Sequence, residues 1–141
     1  MKNDSSTITK TTSEPNWVLI DAKEETLGRL CSKISNILQG KNKVDYAKHI
    51  NNGDFVIVIN TDKINVTGKK LTDKKYYHYS GYHGGMKEQS FEDLLEIDST
   101  KIIKNAVSGM LPKNSLRKKL LARLKIYSGP DHPHSAQINT K

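Results

Sequence analysis

The chain holds one cysteine, Cys31, among 141 residues. An intrachain disulfide is therefore excluded, and the usage fits a reducing compartment without requiring one. No apolar run approaches the roughly 18 residues of a membrane-spanning helix. The opening stretch "MKNDSSTITKTTSEPN" has no apolar segment of the kind that marks a secretory signal, and Asp4 and Glu14 speak against organellar targeting. The length suits a single domain, which at this size buries roughly two-thirds of its unfolded surface.

Acid is the next scarcity. Residues 1–100 carry 14 Lys+Arg against 14 Asp+Glu; residues 101–141 carry 9 against one, Asp131. The whole net charge of +8 thus sits in the last third. Such asymmetry is the footprint of a polyanion partner, most often nucleic acid. The plainer reading is a solvated lysine-rich face.

Chemistry-bearing motifs are scarce too. "TGKKLT" has Gly68 and Lys69, but no glycine five residues earlier and no Ser or Thr after the lysine, so it is no phosphate loop. After "WVLIDA" the chain reads "KEETLGR", where acids would repel the pyrophosphate of a dinucleotide. His78, His83, His132 and His134 form H-x4-H and H-x-H spacings, but one remote cysteine and no H-E-x-x-H leave little case for a metal. No G-x-S-x-G elbow is present. The acids near 24–25 and 88–98 read as solvated helix faces rather than paired catalytic carboxylates. The expectation is no cofactor and no metal.

What is present has a clear order. Residues 1–15 read as a polar arm ended by Pro15, and 16–141 as one domain with an extended C-terminal tail. "WVLIDA" reads as a buried strand. "TLGRLCSKISNILQGK" places Leu27, Leu30, Ile34, Ile37 and Leu38 at helical spacing, with Thr26 as cap and Gly40 as stop. "DFVIVIN" is a β-branched run suited to a strand covered on both faces. Strand, helix, buried strand is the grammar of a parallel α/β sheet. "DKINVTGKKLTDK" reads as a turn region with a possible brief strand, and "KYYHYS" as a further strand. "SFEDLLEI" and "TKIIKNAVSGM" read as two helices, the first opened by a Ser90–Asp93 capping box. "NSLRKKLLARL" reads as a helix with Leu116, Leu120, Leu121 and Leu124 inward and Arg117, Lys118, Lys119 and Arg123 on its other faces. "KIYSG" reads as a last short strand, and the prolines of "PDHPHSAQINTK" predict an irregular tail.

RNA recognition asks for flat rings, phosphate donors and close backbone approach. "KKYYHYSGYHGGMK" offers all three. Lys74, Lys75 and Lys87 bracket it, Tyr79, Tyr82 and His83 can stack or donate, and Gly81, Gly84 and Gly85 clear room for a sugar–phosphate chain. One strand face is expected to be core, with Tyr77 and Tyr79, two apart, as candidates for it. "LPKNSLRKKLLARLK" adds six basic residues and no acid.

"NWVLIDAKEETLGRL", "LQGKNK", "NNGDFVIVIN", "VTGKK", "YYHYSGYHGG", "AVSGMLPKN" and "LKIYSGPDHPHSAQ" follow one another in the order of a known family. Over roughly residues 16–137 the chain resembles the bacterial family of large-subunit ribosomal protein thirteen. The resemblance implies a three-layer α/β/α fold with a mostly parallel four-stranded sheet. It also implies binding to large-subunit rRNA early in subunit assembly, beside neighbouring ribosomal proteins, with no enzymatic activity. A cytoplasmic ribosome is the expected location, an organellar one the alternative; neither a membrane nor a second copy of the chain is an expected partner.

Arg29 is an expected RNA contact, and by position the resemblance implies others at Lys41, Lys43 and His49 in the loop 40–49 and at Lys69 and Lys70. Lys74 is expected to join them from its place before the rings, and the resemblance implies others at His78, Tyr79, Gly81, Tyr82, His83, Gly84, Gly85 and Lys87. The last set is Met110, Pro112, Lys113, Arg117, Lys118, Lys119 and Arg123, followed by Tyr127, Gly129, His132 and His134. The sequence departs from the family pattern at Gln39, Lys48, Asn51–Asn52 and Ser108. Two readings from other classes stand beside this one. One is a small α/β enzyme acting on a nucleotide or RNA through His78, His83, His132 and His134. The other is a basic protein–protein adaptor.

Overall fold

The computed structural model describes residues 14–138, so most of the polar arm, residues 1–13, lies outside the described residues. Strand β1 (Trp17–Asp21) leads into helix α1 (Leu27–Gln39) and then strand β2 (Phe55–Ile59). Val56, Ile57 and Val58 of β2 are fully buried. β2 takes the centre of a parallel sheet because its β-branched run has no polar face to give to water. β1 pairs with it from Trp17↔Phe55 to Asp21↔Ile59.

After β2 the chain turns at Asn60, the one described non-glycine residue with positive φ (57°), and winds through a 3-10 turn, Thr61–Lys63. The brief strand expected here is reduced to a single bridge, Thr26↔Asn65. A short helix α2 (Lys70–Asp73) follows, then strands β3 (Lys75–Tyr79) and β4 (Met86–Ser90), helix α3 (Phe91–Met110), helix α4 (Leu116–Ala122), strand β5 (Leu124–Ile126) and a helical turn α5 (Ser135–Ile138). β5 completes the parallel sheet in the order β1-β2-β5.

The α/β class is as expected, but the parallel sheet among the described residues has three strands rather than four. β3 instead pairs antiparallel with β4, from Lys75↔Ser90 to Tyr79↔Met86. Its residues are mostly polar and exposed, so it lacks the two apolar faces an interior parallel strand needs. β4, "MKEQS", has no apolar alternation, which is why sequence pattern missed it. The tail also departs from expectation, since the prolines stop short of α5.

The main core lies between one face of the sheet and α1 and α3. It gathers Ile20, Leu30, Ile34, Leu38, Val56, Val58, Phe91, Ile102, Ile103 and Val107. Alternation turns Trp17, Phe55 and Ile57 to the other face. There Trp17 stacks on Phe55 (centroids 4.3 Å apart) and on His134 of the tail (5.2 Å). The second covering layer is therefore largely the C-terminal tail.

The local signals mostly act where expected. Gly40 adopts a left-handed φ of 74° and its N–H bonds the Ile37 carbonyl, while Lys41 N–H reaches Asn36, which closes α1. Thr26 stands at the N-cap without a side-chain bond. Ser90 Oγ accepts from Asp93 N–H at 3.1 Å and Asp93 Oδ2 from Ser90 N–H at 3.3 Å, a reciprocal capping box. α3 breaks at Asp98 (φ −161°, ψ 90°), so it is in effect the two expected helices. Asp98 Oδ1 caps the second of them, accepting from Thr100 N–H and Oγ1 at 3.1 and 2.5 Å.

Candidate nucleic-acid interface

The pairing register of the hairpin β3–β4 sorts its side chains by face. Tyr76 lies opposite Gln89 and His78 opposite Lys87, so these four share one face. Lys75, Tyr77, Tyr79, Met86 and Glu88 share the other, where a Lys75–Glu88 ion pair spans 3.3 Å. Tyr76 reaches the core and stacks on Phe91 at 6.3 Å, with Lys74 Nζ 5.5 Å from its ring centroid. The core-facing tyrosine is therefore Tyr76, and the plainer reading that put Tyr77 and Tyr79 in the core does not hold, which leaves Tyr79 free to stack as expected of a site residue. Those two are 64% and 57% exposed, because strand parity sets 77 and 79 opposite to 76.

The hairpin tip presents Tyr82, 79% exposed, and His83 to solvent. Gly81 (φ 91°) and Gly84 (φ 69°) hold left-handed turns with open space where a side chain would stand. Gly85 N–H bonds the Tyr82 carbonyl at 2.9 Å, and Ser80 N–H bonds Gly85 at 3.2 Å. The tip is thus a hydrogen-bonded loop that carries exposed rings on a short backbone.

A groove of about 790 Å³ separates the Tyr76–Gln89 face of the hairpin from α3. Leu27, Leu94 and Ala106 line it with Lys74, His78, Lys87, Lys101 and Asn105. It adjoins a second cleft of about 380 Å³ that shares Leu27, Lys74 and Ala106 and adds Arg29, Thr67, Lys70 and Met110. Residues expected at the site from four separate stretches, Arg29, Lys70, Lys74–Lys87 and Met110, thus meet on one surface. A third cleft, about 240 Å³, lies between the loop 41–50 and α4 and joins Lys41 to Pro112. Lys101, Asn105 and Gln89 in the first groove and Lys48 in the third were not foreseen. Helical spacing sets Lys101 and Asn105 four apart on α3, and that was the signal available.

Other expected residues sit as follows. Lys69, His49, Lys113, Lys118 and Lys119 are exposed, and Arg117 is half-buried. Lys43 Nζ is held by Asp54 Oδ1 at 2.6 Å and by the Glu14 carbonyl at 3.3 Å. Arg123, expected on the outer face of its helix, turns inward. Its guanidinium donates to the Gly53 carbonyl and, at 3.3 Å, to Asn51, and it lies 5.4 Å from the Phe55 ring centroid. Helix α4 ends at Ala122, so Arg123 no longer follows the helical face that its spacing implied. Burial holds its pKa below the ordinary arginine value, against the opposing pull of Asp54.

The C-terminal histidines are also engaged within the chain. Tyr127 OH and His134 Nε2 are 2.8 Å apart, His134 N–H donates to His132 Nδ1 at 3.2 Å, and Gly129 accepts from Asn60 N–H at 3.0 Å. His78, by contrast, lines the groove beside α3. Among the described residues, no three His, Cys, Asp or Glu side chains gather as a metal site requires. Among the described residues, no helix is long and apolar enough to cross a membrane.

The surface offers ammonium and guanidinium groups, flat rings and amides, the complements of phosphates, base faces and base edges. Against known proteins, the model of the family described as ribosomal protein L13 matches residues 15–133. The chain belongs to that family. The protein named large ribosomal subunit protein uL13 of Thermus thermophilus is 53% identical over 124 residues, 88% of this chain and 89% of its own. The proteins of the same name in Pelobacter propionicus and Thermosynechococcus vestitus are 56% and 54% identical, over 86% and 87% of this chain and 86% and 81% of theirs.

Proposed function

We propose that this chain is a structural constituent of the large ribosomal subunit that binds large-subunit rRNA, helps early subunit assembly and performs no catalysis. Its partners are that rRNA and the neighbouring ribosomal proteins, in a cytoplasmic ribosome. Residues 16–141 act as one rRNA-binding domain, with the arm 1–15 outside it. The observation that carries the reading is the convergence of Arg29, Lys70, Lys74 and Lys87 on adjoining clefts, in a member of this family. Cations drawn from distant stretches neutralise phosphates of more than one RNA segment, and this holds those segments together. Against the four-histidine enzyme stands the engagement of His134 with Tyr127 and Trp17 and of His132 with His134.

The test is binding of the full chain to large-subunit rRNA across a salt series. Replacing Arg117, Lys118 and Lys119 together by Ala is expected to weaken binding and flatten the salt dependence by about one slope unit per lost contact. An unchanged slope would remove those three residues from the interface. Absence of salt-dependent binding by the unaltered chain would overturn the function and favour the adaptor.

A further inference from the structure

The groove between the hairpin and α3 has a more specific chemistry than phosphate neutralisation. One wall is the Tyr76, His78, Lys87 and Gln89 face of β3–β4; the other is α3, through Lys101 and Asn105; Leu27, Leu94 and Ala106 supply apolar surface. Among the described residues, the imidazole of His78 and the amides of Gln89 and Asn105 have no side-chain hydrogen-bond partner. Rings, apolar surface and unspent amides suit a nucleobase, whose face stacks and whose edge both donates and accepts. The volume, about 790 Å³, falls within the usual span of ligand clefts, roughly 300–1,000 Å³. Lys74 at one margin continues into the adjoining cleft with Arg29 and Lys70, while Lys87 and Lys101 stand in the groove itself. Among the described residues, Glu88 is the only acid that lines either cleft; it is paired with Lys75, as Lys101 is with Asp98. This run of cations suits a strand rather than one free nucleotide.

Building on the rRNA-binding function above, we propose that this groove takes an unpaired, unstacked base of an RNA strand. The base lies against His78 and the apolar floor, its edge meets Gln89 and Asn105, and the flanking phosphates meet Lys74 and Lys87. A duplex would not fit the same chemistry, because its base faces are already stacked.

The experiment is chemical probing of unpaired nucleotides in large-subunit rRNA, free and with the full chain, its His78→Ala variant or its Asn105→Trp variant. Both positions are exposed, so each change leaves the core alone, and a melting curve for each variant confirms the fold. The unaltered chain is expected to protect at least one unpaired nucleotide. Both variants should lose that protection and bind about tenfold more weakly, the scale of one lost base stack, with the salt slope unchanged. Identical protection and affinity in the folded variants would overturn the proposal while leaving rRNA binding intact. A mononucleotide that restores full reactivity as readily as a competing RNA strand would overturn the strand as occupant. Failure of the unaltered chain to bind rRNA would overturn the underlying function instead.

Discussion

Arg123 and Lys43 are cations spent inside the molecule. Arg123 bridges the carbonyls of Asn51 and Gly53 and covers Phe55. An Arg123→Met variant keeps the stem and loses both bonds. It should cost about 1–3 kcal/mol in chemical denaturation and leave the salt slope of RNA binding unchanged; a lower slope with full stability would return Arg123 to the interface. Gly53 answers to a backbone demand that nothing in its sequence neighbourhood signals. A Cβ there would fall 1.7 Å from the Leu38 carbonyl oxygen, whereas one on Gly28 meets nothing within 4 Å. Gly53→Ala should therefore lose about 3 kcal/mol or more, and Gly28→Ala should be neutral or slightly stabilising; equal stabilities would contradict this packing. Burial pushes the Cys31 thiol up to about 12. The unfolded thiol ionises near the ordinary value, about 8.5. Below that both states are neutral; above it only the unfolded chain loses the proton, so stability falls as pH climbs toward 12. Cys31→Ala should flatten the alkaline decline between about pH 9 and 11, while an undiminished decline would assign it to other groups.

At the scale of elements, legibility followed the kind of signal. α1, β2 and the two halves of α3 were readable because apolar spacing, the Gly40 stop and the Ser90–Asp93 box all agreed on them. The Ser90–Asp93 box is present on both sides, so Ser90→Ala should lose about 1 kcal/mol of stability; no loss would mean that water replaces the cap. β4 was illegible because a strand stabilised by cross-strand pairing needs no apolar alternation of its own. The parallel sheet keeps three strands among the described residues because β3 pairs with β4 across a glycine turn. On the tail, the prolines at 130 and 133 led to an irregular reading that holds only up to α5, which begins beyond them. What pattern could not show is that His132 and His134 fold back on Tyr127 and Trp17, because stacking across the sheet leaves no local mark.

Over the whole molecule, the charge asymmetry pointed to a polyanion but not to a place. Of the cations in the last third, Arg123 is turned inward and Lys101 is shared with Asp98 at 3.4 Å. Lys118 and Lys119 stay exposed. Much of the cationic cleft surface comes instead from Arg29, Lys70, Lys74 and Lys87 in the electrically balanced part of the chain. Net charge by segment cannot see this, because it averages over side chains that the fold draws from separate stretches onto one surface. The hairpin was legible as a composition of rings and glycines; which ring faces the core depended on strand parity. If rRNA contacts hold this chain in the large subunit, as proposed, sedimentation of a tagged copy from cell lysate through sucrose gradients at low and at high salt will show it. Migration with the large subunit that survives the salt wash is the expected result, and migration as a free small protein at both salts would contradict the account.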